Sequence, residues 1–109
     1  MIELELYETR EGRVPFSEFL DSLKNYQDRA RIQTRLDRVE NGNFGDHSSV
    51  GDGVNELRFF FGPGYRVYYA LKHNEWIVLL CAGDKKTQKK DIYLAKKYWQ
   101  DYKIRRLLK

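Results

Sequence analysis

The second half of the chain contains the feature that most limits what it can fold into. Three runs of aromatic, β-branched and other apolar residues follow one another, separated by turn signals of hairpin length. This pattern predicts an antiparallel meander. The third run is apolar on both faces, which is typical of a central strand. The runs are residues 54–61, 65–71 and 76–82, and the separators are Gly62-Pro63-Gly64 and His73-Asn74.

The first half predicts one strand, two helices and a loop. Residues 2–7 alternate apolar and polar side chains, the period of a half-buried strand. Pro15 is suited to the first turn of a short amphipathic helix that reaches Leu23. A second helix is predicted over residues 26–41, where arginines alternate with acidic residues and so favour a solvated face over an RNA-binding one. The glycine-rich residues 42–53 predict a loop.

A C-terminal helix is predicted beyond Gly83. Thr87 is a candidate N-cap, and apolar residues recur at helical spacing as far as Tyr102. Residues 104–109 either extend this helix or fray. The helix start combines exposed backbone N–H groups with a lysine cluster, which predicts a phosphate-binding corner. The lysines are Lys85, Lys86, Lys89 and Lys90.

Length and composition predict one globular domain over residues 1–109. The lone Cys81 can form neither a disulfide nor a cysteine zinc site within one chain, which fits a reducing cytoplasm. No basic leader and no run of about 18 apolar residues occurs, so neither secretion nor membrane spanning is expected. Carboxylates and histidines lack ligand spacing, so we expect neither a metal nor another cofactor. His47 and His73 are interpreted as surface histidines rather than general bases.

Charge is unevenly distributed along the chain. Residues 1–54 contain 7 Lys and Arg against 11 Asp and Glu, whereas residues 55–109 contain 13 against 5. The two parts therefore carry −4 and +8, which sum to the formal +4 of the chain. A basic half beside an acidic one predicts a polyanion-binding surface, although a solvated lysine-rich helix would give the same counts.

The meander also predicts which basic side chains share a face. If Gly62-Pro63-Gly64 forms a three-residue hairpin loop, Arg58 lies opposite Tyr68 and diagonal to Arg66. These three residues then share a face with Glu56. A two-residue loop would shift the pairing by one and place the arginines on opposite faces. The face expected against the helices comprises Leu57, Phe59, Phe61, Val67, Tyr69 and Leu71.

Several different short motifs are distributed along residues 7–102. It comprises Pro15-Phe16, Gly42-Asn43-Phe44-Gly45-Asp46, Gly53-Val54 before Glu56-Leu57-Arg58, Gly62-Pro63-Gly64-Tyr65-Arg66-Val67-Tyr68-Tyr69, and Gly83-Asp84-Lys85 followed by Thr87-Gln88, Asp91-Ile92 and Ala95. Together these motifs resemble the addiction-module killer proteins, a HigB-like branch of the RelE/ParE toxin superfamily. The resemblance implies a compact α+β, RelE-like domain with an N-terminal strand, a helical pair on one face of a curved sheet, a three-stranded meander and a C-terminal helix.

The resemblance also implies a function. Most such toxins are ribosome-dependent endoribonucleases that cleave mRNA in the decoding site, and they are made with a cognate antitoxin that commonly carries a helix-turn-helix domain. We therefore expect the toxin of a type II toxin–antitoxin system. The alternative is a non-enzymatic, ParE-like inhibitor of DNA gyrase. A third possibility is a chain that binds antitoxin but is no longer toxic.

Metal-free RNA cleavage by the 2′-OH needs cations for the charge that builds on the phosphate. Arg58, Arg66 and Lys85 are the expected phosphate-stabilising residues, and Tyr68 is a candidate for proton relay or base stacking. The expected contacts to flanking RNA are Lys86, Gln88, Lys89 and Lys90. Structural roles compete with these assignments. Arg58 could pair with Glu56, and Gln88 could form hydrogen bonds at the start of the helix. Asp84 and Asp91 are expected to be cap or ion-pair partners.

Overall fold

Strand Trp76–Asp84 lies inside the sheet, as its apolar sequence predicts. The computed structural model describes residues 1–107, which form a mixed five-stranded sheet and three α-helices. Strand order is β1-β5-β4-β3-β2; β1 runs parallel to β5, and the other neighbours are antiparallel. The elements are β1 Glu3–Leu6, α1 Pro15–Ser22, α2 Tyr26–Glu40, β2 His47–Gly51, β3 Val54–Arg58, β4 Tyr65–His73, β5 Trp76–Asp84, a 3-10 turn Lys85–Thr87 and α3 Gln88–Leu107.

The predicted loop over residues 42–53 is wrong in its second half, which forms the edge strand β2. His47 pairs with Leu57 and Ser49 pairs with Asn55, so β2 and β3 make a hairpin. Small polar residues dominate β2 and hide its strand character, because its stability comes from pairing with β3 rather than from intrinsic propensity. Asp52 at the turn has φ 55°, a left-handed conformation that aspartate tolerates in tight hairpins.

Helices cover both faces of the sheet. On one face Leu57 and Tyr69 pack with Leu36 of α2, together with side chains of α1. On the other face Tyr68 packs with Trp99 of α3. The face that carries the predicted site residues of the meander is therefore the one that α3 covers.

The β3–β4 register differs from the predicted one by two residues. Arg58 pairs with Arg66, and Glu56 pairs with Tyr68. The expectation that Arg58 lies opposite Tyr68 is therefore wrong. Because a shift of two residues preserves the alternation of faces, the prediction that these four residues share one face is confirmed.

A wider loop explains the different register. Residues 59–64 connect the strands, and a turn inside the loop is closed by the Gly64 N–H donating to the Phe61 carbonyl at 3.1 Å. Gly62 and Gly64 have φ of 56° and 78°, so the chain reverses through two left-handed positions. Leu71 at the other end of β4 was expected against the helices, but it is 51% exposed.

Asp84 rather than Thr87 caps the last helical segment. The Asp84 carboxylate accepts from the backbone N–H groups of Lys86 at 2.8 Å and Thr87 at 3.2 Å, and the Thr87 hydroxyl accepts from the Asp84 N–H. This reciprocal pair is a capping box, so Thr87 closes the box three residues inside the turn. The helix continues to Leu107, so residues 104–107 of the predicted tail extend it, whereas residues 108–109 lie outside the described residues. Within residues 1–107, no helix has the length and apolarity needed to cross a membrane.

Candidate functional site

Arg66 lies at the start of β4, with only 8% of its surface exposed. Its Nη1 donates to the backbone carbonyls of Gly64 and Tyr65, both at 3.1 Å, and approaches the Phe59 carbonyl at 3.4 Å. Its Nε is buried without a hydrogen-bond partner among the described residues. No described carboxylate forms an ion pair with Arg66. The hairpin therefore holds a guanidinium whose charge is not neutralised by a direct partner.

Lys85 borders the same surface. Strand pairing sets Arg66 opposite Gly83, two residues before Lys85. A Cβ built at Gly64 would lie 3.4 Å from the Lys85 Cβ and 3.6 Å from the Arg66 Nη1. The structure thus brings Arg66 and Lys85 to one edge of the sheet, as the pattern predicts. We call the concave surface there the basic cleft, and it is lined by Phe59, Phe60, Gly62, Pro63, Gly64, Arg66 and Lys85.

The other predicted lysines lie beside the cleft rather than in its lining. Lys86, Lys89 and Lys90 are exposed and form no ion pair with a described carboxylate. Together with Lys85 they leave four positive charges within the first two turns after β5. A polyanion approaching the basic cleft would meet this charge next to it.

Gln88 is held against the sheet. Its side-chain amide donates to both carboxylate oxygens of Glu56, at 3.0 and 3.3 Å, and Glu56 is only 3% exposed. A buried carboxylate is costly unless it is hydrogen-bonded, so this contact stabilises Glu56 and fixes the start of α3 over β3. The RNA contact expected of Gln88 stays a prediction and would require the amide to leave Glu56.

Tyr68 is fully buried between the sheet and α3. Its hydroxyl has no hydrogen-bond partner among the described residues, and burial, reinforced by the charges of Glu56 and Asp91, raises its pKa. The side chain offers no surface on which a base could stack. Proton relay by Tyr68 stays a prediction that requires α3 to uncover the hydroxyl.

Arg58 is engaged by a carboxylate. Its Nε and Nη2 donate to the two oxygens of Asp46 at 3.0 and 2.8 Å, a bidentate pair in the segment before β2. The expected alternative pairing with Glu56 does not form. Arg58 lies opposite Arg66, and the Asp46 carboxylate offsets the repulsion that two facing cations would otherwise produce. The phosphate contact expected of Arg58 stays a prediction and would require phosphate to replace Asp46.

Removal of the Asp46 charge is expected to make the free energy of unfolding less dependent on pH in the acidic range. The hydrogen bonds from Arg58 hold the pKa of Asp46 below its usual range. A carboxyl whose pKa is lower in the folded state stabilises that state at any pH above its pKa in the unfolded chain. This contribution is lost as the pH falls below about 4. Asp46→Asn should therefore be less stable than the original protein at pH 7, with a difference that shrinks in acid. Urea unfolding at pH 7, 4 and 3 measures this, and a difference that is constant with pH would contradict it.

Neither histidine joins the basic cleft. His47 is exposed, with Nδ1 2.9 Å from the Gly45 carbonyl and its ring 5.5 Å from Phe44, and it lies on the opposite face of the sheet from Tyr68. His73 is exposed at the β4–β5 corner. Among residues 1–107, no group of three or more His, Cys, Asp and Glu side chains is arranged to hold a metal ion.

The start of α3 packs directly on the backbone of β5. Asp91 is 8% exposed, accepts a hydrogen bond from the Thr87 hydroxyl at 2.5 Å, and has a pKa raised by burial. A Cβ at Gly83 would overlap the Asp91 carboxylate. Burial likewise raises the pKa of the Cys81 thiol to about 12 beside the Asp91 carbonyl, so Cys81 stays protonated. The structural roles expected for Asp84 and Asp91 fit these contacts.

Two features of the site were missed by sequence reasoning. Phe60 is 82% exposed and lines the basic cleft. Strand alternation through Phe59 and Phe61 was the available signal, because three consecutive phenylalanines cannot all face one core. Arg35 is the other feature: it donates to the carbonyls of Phe44, Asp46 and Arg58. No local pattern distinguishes it from its exposed neighbours on α2.

The fold and the cleft define a small α+β domain that presents arginine and lysine at one edge of its sheet. The family model "Phage derived protein Gp49-like (DUF891)" matches residues 18–100. The chain therefore belongs to this phage-derived Gp49-like family, which is related to the RelE/HigB group of toxins. No direct match to a RelE/ParE family accompanies it.

The chain is also similar to a bacterial protein. A protein of Haemophilus influenzae, described as an uncharacterized protein, is 49% identical over 81 residues. The aligned region is 74% of this chain and 82% of the relative. Its description names no activity.

Proposed function

We propose that this protein is the toxin of a type II toxin–antitoxin system and that it cleaves mRNA on the ribosome. The observation that carries the proposal is that Arg66 and Lys85 line one cleft in a member of a family related to RelE/HigB toxins. A planar guanidinium and an ammonium suit a phosphodiester, whose negative charge is redistributed and must be stabilised during attack.

The proposed reaction requires no metal. The RNA 2′-oxygen attacks the adjacent phosphorus and loses its proton, the bond to the 5′-oxygen breaks, and that oxygen gains a proton. The products are a 2′,3′-cyclic phosphate and a free 5′-hydroxyl. Arg66 and Lys85 stabilise the phosphoryl oxygens, while Lys86, Lys89 and Lys90 attract the flanking backbone.

The proposal includes a protein partner. We expect a cognate antitoxin, encoded by an adjacent reading frame and carrying a helix-turn-helix domain, in the cytoplasm where ribosomes translate. Co-purification of this chain with the product of such a frame would support the pairing.

Inducible expression in bacteria followed by mapping of mRNA 5′ ends tests the cleavage. New 5′ ends within coding regions should appear after induction, and purified protein should cut mRNA only when ribosomes are present. Intact mRNA beside broken chromosomal DNA would contradict the proposal and favour gyrase inhibition instead.

Lys85→Ala is the sharper test of the cleft. Lys85 is exposed and forms no ion pair with any residue from 1 to 107, so its removal should leave the fold intact while lowering cleavage by about tenfold or more. Arg66→Ala would also release the hairpin carbonyls and confuse stability with catalysis. Lys97→Ala is the matched control, because Lys97 is an exposed lysine of α3 outside the cleft lining. Equal loss in both variants would contradict the assignment of Lys85.

A further inference from the structure

A second concave surface adjoins the basic cleft. We call it the arginine groove; it lies between α2 and the β3–β4 loop and is lined by Ala30, Arg31, Thr34, Arg35, Arg38, Phe59, Phe60 and Phe61. Phe59 and Phe60 line both surfaces. Since Phe60 is 82% exposed while Phe59 is 3% exposed, Phe60 is the ridge that joins them.

The cations of the groove have no carboxylate partner among the residues that the structure describes. Arg31, Arg35 and Arg38 take part in no ion pair with a described residue. Arg35 is committed to backbone carbonyls, whereas Arg31 and Arg38 are exposed. The Arg31 guanidinium carbon lies 4.8 Å from the centre of the Phe61 ring, which holds the charge beside the groove. The groove therefore presents two available cations next to an exposed aromatic ring.

We propose that the arginine groove and Phe60 form a second contact surface for single-stranded RNA. A nucleobase stacks on Phe60, and the backbone on one side of that base contacts Arg31 and Arg38 while the other side enters the basic cleft. Basic grooves interleaved with aromatic side chains are the usual design of single-strand binding sites. Continuity through Phe60 favours one strand crossing both surfaces over a separate acidic protein in the groove. The inference rests on the proposed function, because it assigns the substrate of the cleft.

Binding without catalysis tests the inference. The probe is a fluorescein-labelled single-stranded oligoribonucleotide of mixed sequence, titrated with the full chain by fluorescence anisotropy at several salt concentrations without ribosomes. Phe60→Ala should weaken binding about fivefold or more through lost stacking, with little change in salt dependence. Phe60→Leu keeps apolar bulk but lacks the ring, so it should weaken binding similarly.

The arginines should produce a different signature. Each phosphate contact to single-stranded nucleic acid contributes about 0.7 to the slope of log affinity against log salt concentration. The double variant Arg31→Gln, Arg38→Gln should therefore reduce the steepness of that slope by roughly 1.4. Phe60→Ala and the double variant thus separate stacking from charge.

The same helix offers a matched control. Tyr26 is 78% exposed and Arg29 lies 5.0 Å from its ring centre, yet neither residue lines the groove. Tyr26→Ala combined with Arg29→Gln removes an aromatic ring and a cation of the same kinds, and we expect RNA affinity to stay within about twofold of the original. Circular dichroism melting confirms that each variant is folded.

The outcomes separate this inference from the proposed function. Groove variants that bind RNA as the original chain does, while ribosome-dependent cleavage persists, would overturn the inference alone. Reduced RNA binding by the groove variants, with no mRNA cleavage by the original chain, would support the inference and remove the proposed activity. No detectable RNA binding by the original chain would overturn the inference. Variants that lose antitoxin binding but keep RNA affinity would assign the groove to a protein partner and likewise overturn it.

Discussion

Replacement of Gly83 by alanine is expected to destabilise the fold by about 3 kcal/mol, because overpacking at a rigid contact forces backbone shifts. A Cβ there would overlap the Asp91 carboxylate and lie 2.8 Å from the Thr87 hydroxyl oxygen. Asp91 is buried and hydrogen-bonded to Thr87, so neither atom can move without disturbing the start of α3. Urea unfolding should show the loss of stability, and the melting temperature should fall by about 12 °C or more. Lys85 lies in this segment, so the basic cleft should also be disturbed.

A double-mutant cycle isolates the steric cause. In an Asp91→Ala background the closest atoms are gone, so Gly83→Ala should cost at least about 1 kcal/mol less than it does alone. Strictly additive effects of the two substitutions would contradict the clash. They would indicate that the remaining contact, between the added Cβ and the Thr87 hydroxyl oxygen at 2.8 Å, accounts for the loss of stability instead.

Arg35→Ala is the second substitution with a large expected effect, about 2–4 kcal/mol of lost stability. The guanidinium donates to the carbonyl of Phe44 at 2.9 and 3.1 Å, to that of Asp46 at 2.7 Å and to that of Arg58 at 2.8 Å. It also lies 4.8 Å from the centre of the Phe59 ring, and its partial burial lowers its pKa. One side chain thus ties α2 to the segment before β2 and to the end of β3. Its removal leaves these carbonyls without their donor.

Neighbouring substitutions make the test specific. Arg38→Ala removes an exposed arginine of the same helix that forms no ion pair within the described part of the chain, and it should change stability by less than about 0.5 kcal/mol. Arg35→Lys keeps the charge but lacks the planar guanidinium that donates to three carbonyls at once. It should therefore recover less than half of the lost stability. Full recovery of stability by lysine, or equal losses of stability at positions 35 and 38, would contradict the proposed role of the Arg35 hydrogen bonds. Urea unfolding of the three variants measures all of these differences.

Much of the fold could be predicted from local pattern. The helices near Pro15, over residues 26–41 and beyond Gly83 follow from apolar spacing, and the apolar third run of the meander is indeed an interior strand. The shared face of Arg58 and Arg66 was also predictable, since the alternation of faces is preserved even when the strand register is misjudged by two residues. Strand β2 was missed because its small polar residues form a strand only when β3 lies beside them.

The candidate site was predictable in residue type and only partly in contact. Sequence spacing placed Arg66 and Lys85 at one edge, because a hairpin and the helix that follows the next strand meet there. It gave no indication that α3 would bury Tyr68 or that Asp46 would engage Arg58. These contacts join residues that are far apart in the chain, and they depend on how whole elements pack.

The order of strands and helices, the alternation of faces and the basic character of the second half are properties of near neighbours in the chain, and the sequence contains them. The register of β3 on β4, the burial of Tyr68 and the clamp at Arg35 arise only when the loop and the helices occupy their places around the sheet. Side-chain chemistry is local, whereas the availability of a side chain depends on packing. That difference is why Arg66 and Lys85 emerge at the cleft, while Arg58, Gln88 and Tyr68 are held in the structure around it.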